Sequence, residues 1–416
     1  MVSRRALLRS VGAGALGALA GCNALPVVGD DGRTATALHS EVVHARSRWG
    51  EAVAVGGDLL VVGAPRAFNR AGSLAGAAFV FEHAGGEWVK RARLRPPSDD
   101  LAPPTADVHG RLRFGTYVAV EGDVAVVGSS DLPAVYWYER DGGAWDLAGS
   151  LHPGSGKPED CYLHSIGFDG RTFAAATACR TENDALTGAV HVYDARDDWP
   201  KAAELRRPDA RTWGRFGYSV EVDGDRLAVA ATGGGDRRNA RRPFVYVYER
   251  AEAGWTLASE LRPDVPAAHA GLADHDALAA SGDVLALGNV VGDDGTRHVL
   301  VYERAGGEWT RRATLRPAVL PDTAAFGQAV ALRDGALVAT SPHAGVDGDG
   351  GVDGAAFRYD RSGGDWALSR RYSNSRVVDP GQFGLAADLS ESRLAVGGRQ
   401  DREDLTDRPT VYVFPQ

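Results

Sequence analysis

The stretch Trp49-Gly50-Glu51-Ala52-Val53-Ala54-Val55-Gly56-Gly57-Asp58-Leu59-Leu60-Val61-Val62-Gly63-Ala64-Pro65 decides the fold. Val53 and Val55 precede a Gly57-Asp58 turn, and Leu60 and Val62 follow it. Apolar alternation on both sides of a Gly-containing turn predicts a β-hairpin. Two more runs of the same kind follow, so the unit holds four short strands, expected at 51–55, 59–63, 77–82 and 88–94.

The unit recurs. Its first two residues reappear as Phe114-Gly115, Tyr162-Leu163, Phe216-Gly217, Asp274-His275, Phe326-Gly327 and Phe383-Gly384. An aromatic ends each third run: Phe81, Tyr138, Tyr193, Tyr248, Tyr302, Tyr359 and Phe414. A Trp follows the first six of these, at Trp88, Trp145, Trp199, Trp255, Trp309 and Trp366. Six residues beyond each Trp stands Leu94, Leu151, Leu205, Leu261, Leu315 or Tyr372. One repeat position thus holds six of the nine Trp in the chain, which chance does not produce.

Seven units of four antiparallel strands predict an all-β, seven-bladed β-propeller. The Trp and the residue six positions on share a strand face and are expected to pack between blades. Small residues at the end of the second run (Gly63, Gly128, Ala176, Ala230, Gly288, Gly397) would let neighbouring backbones approach closely. The seventh unit ends at Phe414 without a fourth strand. Leu38 lies eleven residues before Trp49, the gap that also separates Leu205 from Phe216 and Leu315 from Phe326. Residues 33–39 are therefore predicted to complete the last blade and close the ring, which removes an edge that could pair with other chains.

Composition agrees. The 416 residues include 53 Gly and one Met, against a usual Gly share of about 7%, as short strands and tight turns require. The net charge of −9 argues against nucleic-acid binding, which needs a concentrated basic face. Lys occurs only at Lys90, Lys157 and Lys201, and the other basic residues are Arg. Abundant Asp with little Lys fits a salt-adapted proteome or a GC-rich genome.

The N-terminus reads as an address. Ser3-Arg4-Arg5-Ala6-Leu7-Leu8-Arg9 resembles a twin-arginine export signal, and Leu19-Ala20-Gly21-Cys22 resembles a lipobox. The apolar stretch between them is about half the ~20 residues that span a bilayer, so it reads as a signal segment. The expected organisation is a signal peptide over 1–21, a lipidated Cys22 with a tether over 22–32, and a propeller over 33–416. The expected location is the extracytoplasmic face of the membrane, held by the lipid.

Cys161 and Cys179 would then lie where disulfides persist. They are symmetric about Gly170, so a hairpin turning there would set them face to face within bridging distance. A disulfide is expected, with two buried free thiols as the alternative.

Phe114-Gly115 together with Gly63-Ala64-Pro65 resembles the FG-GAP repeat of integrin α-subunit propellers. The runs Val245-Tyr246-Val247-Tyr248-Glu249 and Gly306-Gly307-Glu308-Trp309 make it more similar to FG-GAP proteins of bacterial and archaeal surfaces. The resemblance spans about 33–416 and implies the propeller, while propellers host many functions. The integrin-type Ca²⁺ loop does not carry over. The corresponding connection here is a tight turn such as Val222-Asp223-Gly224-Asp225, too short to supply the six or more oxygens that Ca²⁺ takes.

Long connections at 66–76, 96–113, 233–243, 343–354 and 399–409 are expected on one face of the disc, where binding usually resides. In them, Asp347, Asp349 and Asp353 are candidate Ca²⁺ ligands in a Gly-rich loop, against a solvated acidic loop. Arg237, Arg238, Arg241 and Arg242 could pair with an acidic protein or glycan, against a solvated charged loop. No nucleophile elbow, His-Glu-x-x-His, P-loop or Cys-x-x-Cys occurs, and His269 with His275 is the nearest His pair. No cofactor beyond possible Ca²⁺ is expected.

These readings favour a non-enzymatic surface protein that binds a protein or glycan partner, its oligomeric state open. A glycan-processing enzyme on the same disc is an alternative; it would show a carboxylate pair or His cluster in the central depression. An accessory subunit of a membrane complex is another, marked by an exposed apolar patch.

Overall fold

The computed structural model describes residues 26–28, 34–39, 47–68, 74–97, 112–154 except 132, 161–180, 186–208 except 197, 216–232, 243–264, 277–342, 344, 354–373, 382–399 and 410–416. In these residues lie twenty-nine strands, numbered β1–β29 in chain order, and no α-helix. They form seven antiparallel sheets, each of four successive strands or their equivalent. The first blade is β3 (Val53–Gly56), β4 (Leu59–Ala64), β5 (Ala77–Ala84) and β6 (Glu87–Leu94). The expected bounds hold to within two residues at each end.

The ring closes as the spacing predicts. In the last blade β27 (Gln382–Leu389), β28 (Arg393–Arg399) and β29 (Thr410–Pro415) are joined by β2 (Thr34–His39). β2 pairs antiparallel with β29, Leu38 opposite Val411 and Ala37 opposite Tyr412. Inside the stretch read as a tether, β1 (Pro26–Val28) adds a fifth, outermost strand to this sheet, Val27 opposite Ala35.

Each pair of neighbouring blades encloses its own apolar cluster, giving seven seams. The repeat aromatics fill them. Trp49, Phe114, Phe216, Phe326 and Phe383 are buried at the strand starts. Trp88 and Trp199 belong to the seam clusters outright, and Trp145, Trp255, Trp309 and Trp366 pack against them from one side. The fourth-strand Trp thus packs between blades.

The motif's glycines mark where main chain meets main chain. Gly115 holds φ +89°, and a Cβ there would run into the Ala77 carbonyl oxygen of the preceding blade. A Cβ on Gly63 would overlap the Gly115 carbonyl oxygen. The Phe-Gly of one blade therefore seats on the Gly-Ala-Pro of the blade before it, and side chains are excluded from both partners. Gly397 stands in the same relation to Gly50 across the closing seam.

The outer edges are blunted. The fourth strand of each of blades one to six carries a register shift at the same place. Lys90, Arg91, Arg311, Arg312, Arg370 and Arg371 lie on three of these edges. Bulges and charge discourage strand pairing with another molecule.

Candidate functional site

The first strands of all seven blades surround a central cavity of about 650 Å³. Its two ends differ because each first strand runs from its Phe-Gly start to a hairpin turn. At the turn end the wall carries Glu121, Asp169, Asp223, Asp334, Asp388 and Glu391, with Arg171 and Arg333 as its cations and Glu221 further in.

Several of these groups are already committed to the ring. Asp169 Oδ2 accepts from the Gly224 amide of the next blade at 2.9 Å. Asp223 Oδ2 accepts from the Gly282 amide at 2.5 Å, and Ser281 Oγ from the Asp334 amide at 3.3 Å. Asp388 Oδ2 accepts from the Val55 amide at 2.7 Å across the closing seam. Hydrogen bonds from amides to carboxylates are charge-assisted and strong, so this end is a latch between blades.

A second tier of ion pairs lies further out. Arg140 meets Glu82 at 3.0 Å, Arg304 meets Glu249 at 2.9 Å and Arg361 meets Glu303 at 2.7 Å. Each Arg reaches back to the blade before its own. Trp366 Nε1 also donates to Glu303 Oε1 at 3.1 Å, which leaves that nearly buried carboxylate satisfied.

At the opposite end of the first strands comes the residue after each Phe-Gly pair, of which Thr116 lines the cavity. These positions hold Glu51, Thr116, His164, Tyr218, Gln328 and Leu385. All six are half-buried, while the residues on either side of each are buried. The register slips here in four blades, between Phe114 and Tyr117, Leu163 and Ser165, Phe216 and Ser219, and Phe383 and Ala386. Bulges of this kind re-aim side chains. The His164 and Tyr218 rings stack across the seam between blades three and four, centroids 6.4 Å apart and planes 28° apart. Glu51 is held by Arg48 at 2.8 Å.

Cys161 and Cys179 are bridged, directly opposite on β11 (Cys161–Phe168) and β12 (Thr172–Arg180). In the same blade His191 is buried, its Nε2 3.0 Å from Thr177 Oγ1 and its Nδ1 3.6 Å from Glu204 Oε2. Burial, aided by the Lys201 charge, pushes its pKa down from 6.5 to about 4. Hydrogen bonds from Lys201 and then Arg206 hold Glu204 down at about 2.

The remaining sequence candidates (Cys22, Arg237, Arg238, Arg241, Arg242, Asp347, Asp349 and Asp353), with His269 and His275, lie outside the described residues. Among the described residues no group of three or more His, Cys, Asp or Glu is placed to hold a metal ion, and no helix is long and apolar enough to cross a membrane. The positions after each Phe-Gly pair and the Asp latch were not singled out from sequence.

Residues 36–81 match the FG-GAP repeat family. No curated protein sequence matches the chain. A solved acylaminoacyl peptidase in complex with Z-Gly-Gly-Phe-chloromethyl ketone is similar with TM-score 0.52 and 12% identity, over 87% of this chain and 50% of that one. The acylaminoacyl peptidase of Pyrococcus horikoshii gives TM-score 0.49 and 12% identity over the same shares, 87% and 50%. The WD40 domain of Toxoplasma gondii coronin gives 0.48 and 9%, over 95% of this chain and 88% of that one. The chain thus spans about half the length of the two peptidases, and at these identities the likeness is one of fold. Matched repeat and seven-sheet ring together define the class: the protein is a seven-bladed β-propeller that carries an FG-GAP repeat.

Proposed function

We infer that the protein is a binding or scaffold module rather than a catalyst. It is carried at the extracytoplasmic face of the membrane by a lipid on Cys22, and it recognises a protein or glycan partner through the Phe-Gly end of the disc. One observation carries this reading. Three of the seven carboxylates on the cavity wall are tied to main-chain amides of the neighbouring blade, Asp169 to Gly224, Asp223 to Gly282 and Asp388 to Val55. A carboxylate fixed in a structural hydrogen bond is poorly placed to shuttle protons to a substrate. At the opposite end Glu51, Thr116, Tyr218, Gln328 and Leu385 each follow a Gly of positive φ, so unlike side chains stand on one repeated turn, which suits recognition on a rigid scaffold.

The test is co-purification of the full chain from its native membrane. A specific partner should be retained by the wild type and lost when the Phe-Gly end is altered. The Cys22→Ser variant should leave the membrane fraction. Turnover of a glycan or peptide by the purified chain, abolished by Asp223→Asn without unfolding, would contradict the reading.

A further inference from the structure

We propose that the propeller stands on edge at an anionic bilayer, with the rim on either side of β1 as its membrane-facing surface. This deepens the reading of Cys22 as the lipid site, and rests on it.

β1 shortens the tether. It lies outermost in blade seven, with Pro26 opposite Thr36. Only four peptide steps separate Cys22 from Pro26, and four residues span at most about 14 Å. A free segment over 22–32 would span up to about 40 Å. The lipid is thereby kept close to the outer edge of blade seven. β2, which carries β1, is fixed between the flanking blades. Leu38 clusters with Val62 and Phe79 of blade one, and Ala35 and Ala37 with Val338 and Ala356 of blade six.

Charge is spread unevenly around the rim. The outer strand of blade one, β6, carries Lys90, Arg91 and Arg93 against a single acid. In blade six, β26 (Asp365–Ser373) carries Arg370 and Arg371 against one acid. In blade five, β22 (Glu308–Leu315) carries Arg311 and Arg312 against one. Away from this arc, β10 (Ala144–Leu151) of blade two has Asp146 as its one charge, and β18 (Gly254–Leu261) of blade four has Glu260. In blade three Lys201 and Arg206 both pair with Glu204. The basic arc therefore brackets the blade that holds the lipid end. Basic groups next to a membrane are drawn to anionic headgroups.

The turn end suits such a membrane less well. Its cavity wall gathers carboxylates with only Arg171 and Arg333 among them, and like charge repels it from anionic headgroups. Standing on edge also leaves the Phe-Gly end open sideways, toward a partner held at the same membrane.

The experiment uses the full mature chain with its lipid, in vesicles of phosphatidylcholine and phosphatidylglycerol that contain a headgroup-nitroxide lipid. A fluorophore is placed on one introduced cysteine at a time: Lys90→Cys on blade one, Leu368→Cys on blade six or Leu257→Cys on blade four. The probes at 90 and 368 should be quenched, and the probe at 257 should not. Lys90→Gln should lower the ratio of quenched to unquenched probe at 368 by about fivefold, the loss of one basic group at the surface. Lys201→Gln, the same change on blade three, should leave that ratio as it is in the wild type. The mass of the N-terminal peptide reports the lipid on Cys22 in the same sample. The proposal is overturned if the probe at 257 is quenched as strongly as the other two, or if the two Lys variants behave alike. With Cys22 lipidated, either result removes the rim and leaves the anchoring intact. If Cys22 carries no lipid, the anchoring reading falls and the rim falls with it.

Discussion

Cys161 lies directly opposite Cys179, and it does so because the chain bulges at His164. Below the bulge Phe168 faces Phe173 and Ser165 faces Ala176; above it Leu163 faces Thr177, and the slip of one residue brings the two Cys together. Without that slip Cys161 would face Arg180. The bulge that sets His164 against Tyr218 is also what aligns the disulfide.

The bridge closes a loop of 18 residues, worth about 3 kcal/mol in the chain-entropy account. Cys161→Ser should therefore lower the melting temperature by several degrees under non-reducing conditions. Full reduction should bring the wild type to the same value. A peptide map that finds both thiols alkylated without reduction would contradict the pairing.

The main-chain contact between Gly63 and Gly115 should tolerate no side chain. Gly63→Ala drives a methyl group into the Gly115 carbonyl oxygen, and backbone on both sides limits relaxation. A loss of about 2–3 kcal/mol is expected in denaturant unfolding. Ala64→Gly, next along the same strand, should cost about 1 kcal/mol through backbone entropy.

His191 sets an acid limit. Its pKa is about 4 in the folded chain against 6.5 ordinarily, so between these values the unfolded state binds more protons. Stability is then full above pH 6.5, falls as the pH drops toward 4, and levels below. The loss is on the order of 3 kcal/mol. His191→Gln, which keeps a partner for Thr177, should flatten thermal stability across that window. Glu204, held down at about 2, adds its own loss only as the pH falls from about 4.5 toward 2.

The inter-blade carboxylates should not be equivalent. Glu303 has 9% of its side chain exposed and serves both Arg361 and Trp366. Glu303→Ala strands both donors and should cost about 2–3 kcal/mol. Asp225 is 63% exposed where it meets Arg171, and Asp225→Ala should cost less than about 1 kcal/mol. Chemical denaturation of the two variants side by side checks the ranking.

The blades were legible because their anchors are long-range repeats: Trp88 and Leu94 announce the same strand that Trp309 and Leu315 do. Even the closing strand could be read, from the distance between Leu38 and Trp49. β1 could not. Pro26-Val27-Val28 is too short to show the alternation that would announce its pairing with Thr34–Thr36. The Asp latch escaped for a different reason. Asp169 and Asp223 look like ordinary turn residues, and only the curvature of the ring brings each to the next blade's amide. The stacked pair His164 and Tyr218 are 54 positions apart in sequence and meet only across a seam.

The most direct test concerns closure. Thr36 and Val413 are partners in the register of β2 and β29, at opposite ends of the chain. The double variant Thr36→Cys/Val413→Cys should form an intramolecular disulfide in the monomer, found as a linked peptide by mass spectrometry, and should raise the melting temperature. If the two new cysteines stay free in the folded protein, or link only between molecules, the ring is not closed by the N-terminal strand, and the placement of both cavity ends fails with it.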